Sequence, residues 1–114
     1  MGNGEVVDPK VLAEFRELDM LDEMVEAFFD EAPTLLAQIK GAIDKNDPDA
    51  LRRAAHTLKG SGGNMGARVV QKISLALEQK GRAGTTEGAA ELVPSLEREY
   101  ERARQVFEAE RQKA

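Results

Sequence analysis

Residues 47–63 read DPDALRRAAHTLKGSGG, and their spacing decides the fold class. Asp47 before Pro48 is a helix start: an N-cap carboxylate, then a residue whose fixed φ suits the first helical position. Leu51, Ala54, Ala55 and Leu58 follow at intervals of three, one and three, which keeps them on one helical face. At about 100° per residue, His56 points roughly 150° away from the mean direction of that apolar face. It shares the outer face with Arg52, Arg53, Lys59, Gly60 and Gly63. On pattern alone the helix ends at Gly60-Ser61-Gly62-Gly63, a stop and turn.

The helical period continues on both sides. Asp8-Pro9 repeats the start signal, and Leu12, Phe15 and Leu18 follow it. Leu21, Met24, Phe28, Ala32, Leu35, Ile39 and Ala42 make a second, long stripe, with Pro33 inside it predicting a kink. Asp44-Lys45-Asn46 is a loop by composition. Beyond the glycines, Val69, Val70, Ile73 and Leu77 form a fourth stretch that stops near Gly81. A loop to Gly84 follows, and Thr85 or Thr86 caps a fifth stretch carrying Leu92, Leu96, Tyr100, Ala103 and Phe107, with Pro94 its weak point. No segment alternates with period two. Amphipathic helices joined by short loops predict an all-α antiparallel bundle. The chain is expected to be one domain over residues 1–114, with 1–7 disordered and 108–114 fraying. Its expected core is Phe28, Leu35, Ile39, Leu51, Leu58, Val69, Ile73, Leu77, Leu96 and Phe107.

Composition narrows the function classes. A chain of 114 residues is long enough for one core and too short for two. With 41% hydrophobic and 32% charged residues it is too apolar for full disorder. The net charge of −5 argues against a phosphate-backbone binder, so nucleic acid is not an expected partner. The chain lacks both a membrane-length apolar run and a signal-peptide pattern, so a cytoplasmic location and no membrane contact are expected. Without cysteine there is no disulfide or thiolate chemistry, and a single histidine gives no metal site. The glycine run is not a P-loop, because Lys59 precedes it, and Met65 breaks a Gly-x-Gly-x-x-Gly pattern. Arg53, three residues before His56, rules out a Glu-x-x-His di-metal helix. A hydrolase using Ser61 or Ser74 lacks a nucleophile elbow.

The histidine face has its own chemistry. An exposed imidazole titrates near about 6.5, so at neutral pH one ring nitrogen is a free nucleophile. Lys59 at i+3 and Arg52 at i−4 lie within side-chain reach and would offset the charge of a phosphoryl group. At an effective dielectric of about 20, unit charges about 5 Å apart interact by roughly 3 kcal/mol. Solvent exposure reduces this to about 1 kcal/mol or less. Helical Gly60, Gly62 and Gly63 would each cost about 1 kcal/mol relative to alanine. Close approach of a partner to His56 at Gly60 and Gly63 gives that cost a reason. Against this stands the plainer reading, that a lone surface histidine among cations is merely solvated.

Ala54-Ala55-His56-Thr57-Leu58-Lys59-Gly60-Ser61, followed by Gly66-Ala67, resembles the signature of histidine phosphotransfer (HPt) domains. Phe28-Phe29-Asp30-Glu31-Ala32-Pro33 with Leu35-Leu36 is similar to the family's second helix, and the likeness runs from about Asp8 to Phe107. The resemblance implies an up-down four-helix bundle with a short additional N-terminal helix over one end. It implies that His56 takes a phosphoryl group from a receiver-domain aspartate and passes it to another receiver in a two-component phosphorelay. Lys59 would steady the phosphoryl group, Gly60 would admit the receiver, and the third helix would run through the glycines, against the pattern reading. Such a protein is a phosphocarrier without an ATP-binding domain, not an enzyme, and needs no cofactor; Mg2+ is expected only on the partner receiver.

The expected partners are response-regulator receivers and a hybrid sensor histidine kinase, of which this chain could equally be the C-terminal domain or a free monomeric relative. Family geometry suggests Leu12, Phe15, Leu21 and Met24 as receiver-docking residues. Two positions depart from the family. Ser74 stands where members often have cysteine, and Glu78 where some place glutamine beside the histidine ring. A carboxylate there would repel a phosphohistidine, so Glu78 is expected to point away, with Gln79 as its substitute. The alternatives are a chemotaxis-kinase-type phosphoacceptor domain and a helical interaction module with an incidental histidine.

Overall fold

The computed structural model describes residues 6–113, and among them there are helices and no strand. Five α-helices follow in order: α1 Pro9–Glu17, α2 Leu21–Asp44, α3 Pro48–Asn64, α4 Arg68–Arg82 and α5 Val93–Gln112. A 3-10 turn, Ala90–Leu92, leads into α5. The four long helices pack in a closed ring, α2 on α3, α3 on α4, α4 on α5 and α5 back on α2, while α1 lies against α2. Three-residue connections join α1 to α2, α2 to α3 and α3 to α4, and the longer segment 83–92 leads into α5, giving the up-down bundle expected. No helix among the described residues is long and apolar enough to cross a membrane.

Both predicted starts are present. The Asp8 carboxylate accepts from the Lys10 N–H at 2.9 Å, and the Asp47 carboxylate from the Ala50 N–H at 3.0 Å, each just before a proline. The core is one cluster crossing all the helices. Phe28 meets Tyr100 and Phe107 with ring centroids 5.6 and 5.7 Å apart, tying α2 to α5. Of the expected core, Val69 and Ile73 are only half-buried. On α4 the inward stripe is instead Val70, Ser74, Leu77, Glu78 and Gly81.

Several expectations are corrected. The glycine run does not stop α3, which continues to Asn64. Gly62 is buried against Val70 of α4, so packing across the short turn supports what propensity disfavours. The stop comes at Gly66, whose φ of +75° closes the helix through Ala67 N–H to Gly62 C=O at 2.8 Å and Gly66 N–H to Gly63 C=O at 3.1 Å. α2 runs unbroken through Pro33, which faces solvent, where the carbonyl that loses its donor can take water. Pro94 is not a weak point: it is the second residue of α5, where a missing N–H costs nothing. Neither threonine caps α5; Thr85 Oγ1 accepts from the Glu87 N–H and Thr86 Oγ1 donates to Asn46 Oδ1.

Leu18, placed on the stripe of the first helix, lies just past its end and is 66% exposed. Val6 and Val7 are buried in the core and so do not belong to a disordered start; residues 1–5 lie outside the described residues. α5 includes most of the segment expected to fray, from residue 108 on. It continues to Gln112, where Arg16 of α1 donates to the Glu110 carbonyl at 2.8 Å and to its carboxylate at 2.5 Å.

Candidate functional site

α3 commits Leu51, Ala54, Ala55 and Leu58 to the core, which turns His56 outward; its side chain is 62% exposed. The neighbouring helix, α4, supplies what sequence reasoning missed. Glu78, only 1% exposed, reaches under the ring and places Oε2 2.8 Å from His56 Nδ1. Lys59 Nζ lies 2.7 Å from Oε1, close enough to pair charges although off the angle of a regular hydrogen bond. Arg82, one turn along α4, donates from Nη2 to Oε2 at 2.8 Å. One buried carboxylate thus gathers His56, Lys59 and Arg82.

A buried carboxylate survives only if its charge is matched. Here the Lys59 ammonium is the largest influence, opposed by burial and aided by the His56 and Arg82 contacts, and it holds the Glu78 carboxyl down at about 2. Glu78 is therefore an anion near neutral pH and can only accept hydrogen bonds. The 2.8 Å contact then requires Nδ1 to carry the ring proton, leaving Nε2 with the free lone pair. Nε2 makes no hydrogen bond among the described residues.

The expectation that Glu78 points away is overturned. Repulsion concerns the phosphoryl group of a modified ring; in the unmodified protein the carboxylate meets an N–H donor and two cations, all attractive. Gln79 is exposed and does not replace it. Arg52 is not turned to the ring either: its guanidinium pairs with Asp49 at 2.8 Å, and Arg53 takes the other oxygen of that carboxylate. Arg82 is the cation that the fold brings instead. A signal for Glu78 was present, since it lies four residues after Ser74 and three before Gly81 on the inward stripe of α4. A carboxylate there must find partners.

The two glycines separate. A Cβ on Gly60 would meet nothing within 4 Å, so the surface beside His56 is open there. A Cβ on Gly63 would sit 2.7 Å from Gln71 Nε2, so that space belongs to a neighbouring side chain. Gly81 serves the site from beneath: its Cβ would fall 2.5 Å from the Pro48 carbonyl oxygen and 2.7 Å from Arg52 N, so α4 crosses α3 close enough for Glu78 to reach the ring. Of the docking candidates, Leu12 and Leu21 are core, while Phe15 and Met24 are half-buried and keep apolar surface outside. Ser74 is buried, and its hydroxyl has no partner among the described residues.

Residues 23–106 match the Hpt domain family. The chain belongs to the Hpt domain family. Over 96% of its length, and 96% of the other chain, it is similar to the crystal structure of histidine-containing phosphotransfer protein B from Pseudomonas aeruginosa PAO1, with 33% identity and a TM-score of 0.88. No curated protein matches it significantly. As an Hpt domain it is a His-to-Asp phosphotransfer intermediate of a two-component relay and not an independent enzyme. Hpt domains partner receiver domains and hybrid kinases.

Proposed function

We propose that His56 is the phosphoryl-carrying residue of this Hpt domain, charged by the aspartyl phosphate of one receiver and discharged to the aspartate of another. The observation that carries this reading is the contact between Nδ1 and the Glu78 carboxylate on an otherwise exposed ring. It fixes the tautomer in which Nε2 is the nucleophile. Lys59 stands beside the same carboxylate, near enough to share its charge with an incoming phosphoryl group. The open surface at Gly60 lets a receiver bring its phosphoryl group to in-line distance of the ring. The apolar surface of Phe15 and Met24 is the part of the predicted docking patch that remains available to it. The Mg2+ that such transfer requires belongs to the receiver's acidic site.

The test is incubation of the unsubstituted protein and of His56→Gln with a phosphorylated receiver. The former takes up acid-labile phosphate and the latter none. The stabilities of the two are expected to agree within about 0.5 kcal/mol, as for other exposed positions. Acid-labile phosphate on His56→Gln would refute the assignment.

A further inference from the structure

Glu78 does more than select a tautomer in the resting state. We propose that it also holds the proton on Nδ1 after His56 has been phosphorylated, so that the phosphoryl group always departs from a neutral imidazole. This rests on His56 being the acceptor.

The step can be written in full. The Nε2 lone pair attacks the phosphorus of the receiver's aspartyl phosphate; a P–N bond forms, the P–O bond breaks, and aspartate leaves as a carboxylate with the bonding pair. No proton has moved. The ring now bears both the Nδ1 proton and a positive charge, directly against the Glu78 carboxylate 2.8 Å away. For onward transfer, an aspartate carboxylate attacks the phosphorus and the P–N pair returns to Nε2, releasing neutral imidazole. Had the Nδ1 proton been lost meanwhile, the leaving group would be imidazolate, a much stronger base and a poor leaving group.

The surroundings favour retention. Glu78 is 1% exposed, so solvent does not dilute its contact with the ring. Its charge is secured by Lys59 and Arg82, which keep it an acceptor and not a competitor for the proton. Those two cations, the one from α3 and the other from α4, oppose ring protonation by themselves. Each is already on a Glu78 oxygen, and the arriving phosphoryl group brings two further negative charges for them to meet. On the α2 side the charged residue lining the hollow beside Ser61 is Glu31, also an anion. The ring itself has no polar contact other than Glu78 among the described residues.

The experiment uses the whole chain with its histidine labelled with 15N, phosphorylated by the small donor phosphoramidate. The protonation of Nδ1 is followed by NMR across pH, and loss of the phosphoryl group by 31P signal. In the unsubstituted protein the phosphorylated ring should give up its Nδ1 proton about one pH unit or more above Glu78→Gln. Above both midpoints its phosphoryl group should then be lost about tenfold faster. Equal midpoints and equal decay overturn the proposal. If Glu78→Gln does not fold or is not phosphorylated, the unsubstituted protein is compared with free phosphohistidine, and an unraised midpoint overturns it equally. A distinct result, no phosphohistidine at position 56 in the unsubstituted protein, refutes the acceptor assignment itself and the proposal with it.

Discussion

Gly81→Ala sets two effects of opposite sign against each other. Helix propensity alone makes alanine better than glycine inside α4 by about 1 kcal/mol. The packing says otherwise. The added Cβ would lie 2.5 Å from the Pro48 carbonyl oxygen, 2.7 Å from Arg52 N and 2.9 Å from Arg52 Cα. All three obstacles are backbone of α3, which cannot swing aside, so α4 must retreat by on the order of 1 Å to restore ordinary contact distances. Overpacking of this kind costs about 1–3 kcal/mol, and the rigid neighbours place it in the upper half of that range. After the propensity gain, a net loss of about 1–2 kcal/mol remains. For a domain of this size that is a fall of roughly 4–10 °C in Tm, measurable by circular dichroism. The retreat also draws Glu78, three residues earlier, away from His56 Nδ1, so phosphoryl uptake should slow in the same variant. A Gly81→Ala protein as stable as the original, or more so, would show that the close crossing of α3 and α4 is not what glycine is there to allow.

Lys59→Ala leaves the nucleophile in place but removes a partner of Glu78 and of the phosphoryl group. Uptake should be about fivefold slower, corresponding to about 1 kcal/mol of charge compensation, with abolition counting against a supporting role. Gly60→Leu should fold with a helix-propensity gain of about 0.5–1 kcal/mol, because nothing lies within 4 Å of its Cβ, yet fail to exchange phosphate with a receiver. Transfer at the unmodified rate would place the receiver elsewhere. The last prediction concerns acid. Folding lowers the Glu78 carboxyl from the ordinary 4.5 to about 2. Its contribution is therefore fully present above 4.5 and is lost as pH falls through the folded value near 2. The difference, on the order of 3 kcal/mol, should vanish from the pH dependence of urea unfolding in Glu78→Gln. An unchanged slope across that window would mean the carboxylate is not paired as described.

What could be read from the sequence was whatever depends on neighbours along one helix. The starts at Asp8-Pro9 and Asp47-Pro48, the stripes of α2 and α3 and the outward direction of His56 all follow from a 3.6-residue period and local capping. With the His-Thr-Leu-Lys-Gly motif these were sufficient for the bundle and for the family. The tertiary structure decided everything that depends on how one helix sits against another. It carried α3 through the glycines, because Gly62 meets Val70 across a tight turn. It turned Arg52 to Asp49 and brought Arg82 towards the ring in its place. It also drew Glu78 under His56 where charge repulsion had suggested the reverse. The reason is physical: the sign of a carboxylate's effect depends on what surrounds it, and its surroundings here come from two helices whose approach is set at Gly81, a contact that no periodicity along a single helix encodes.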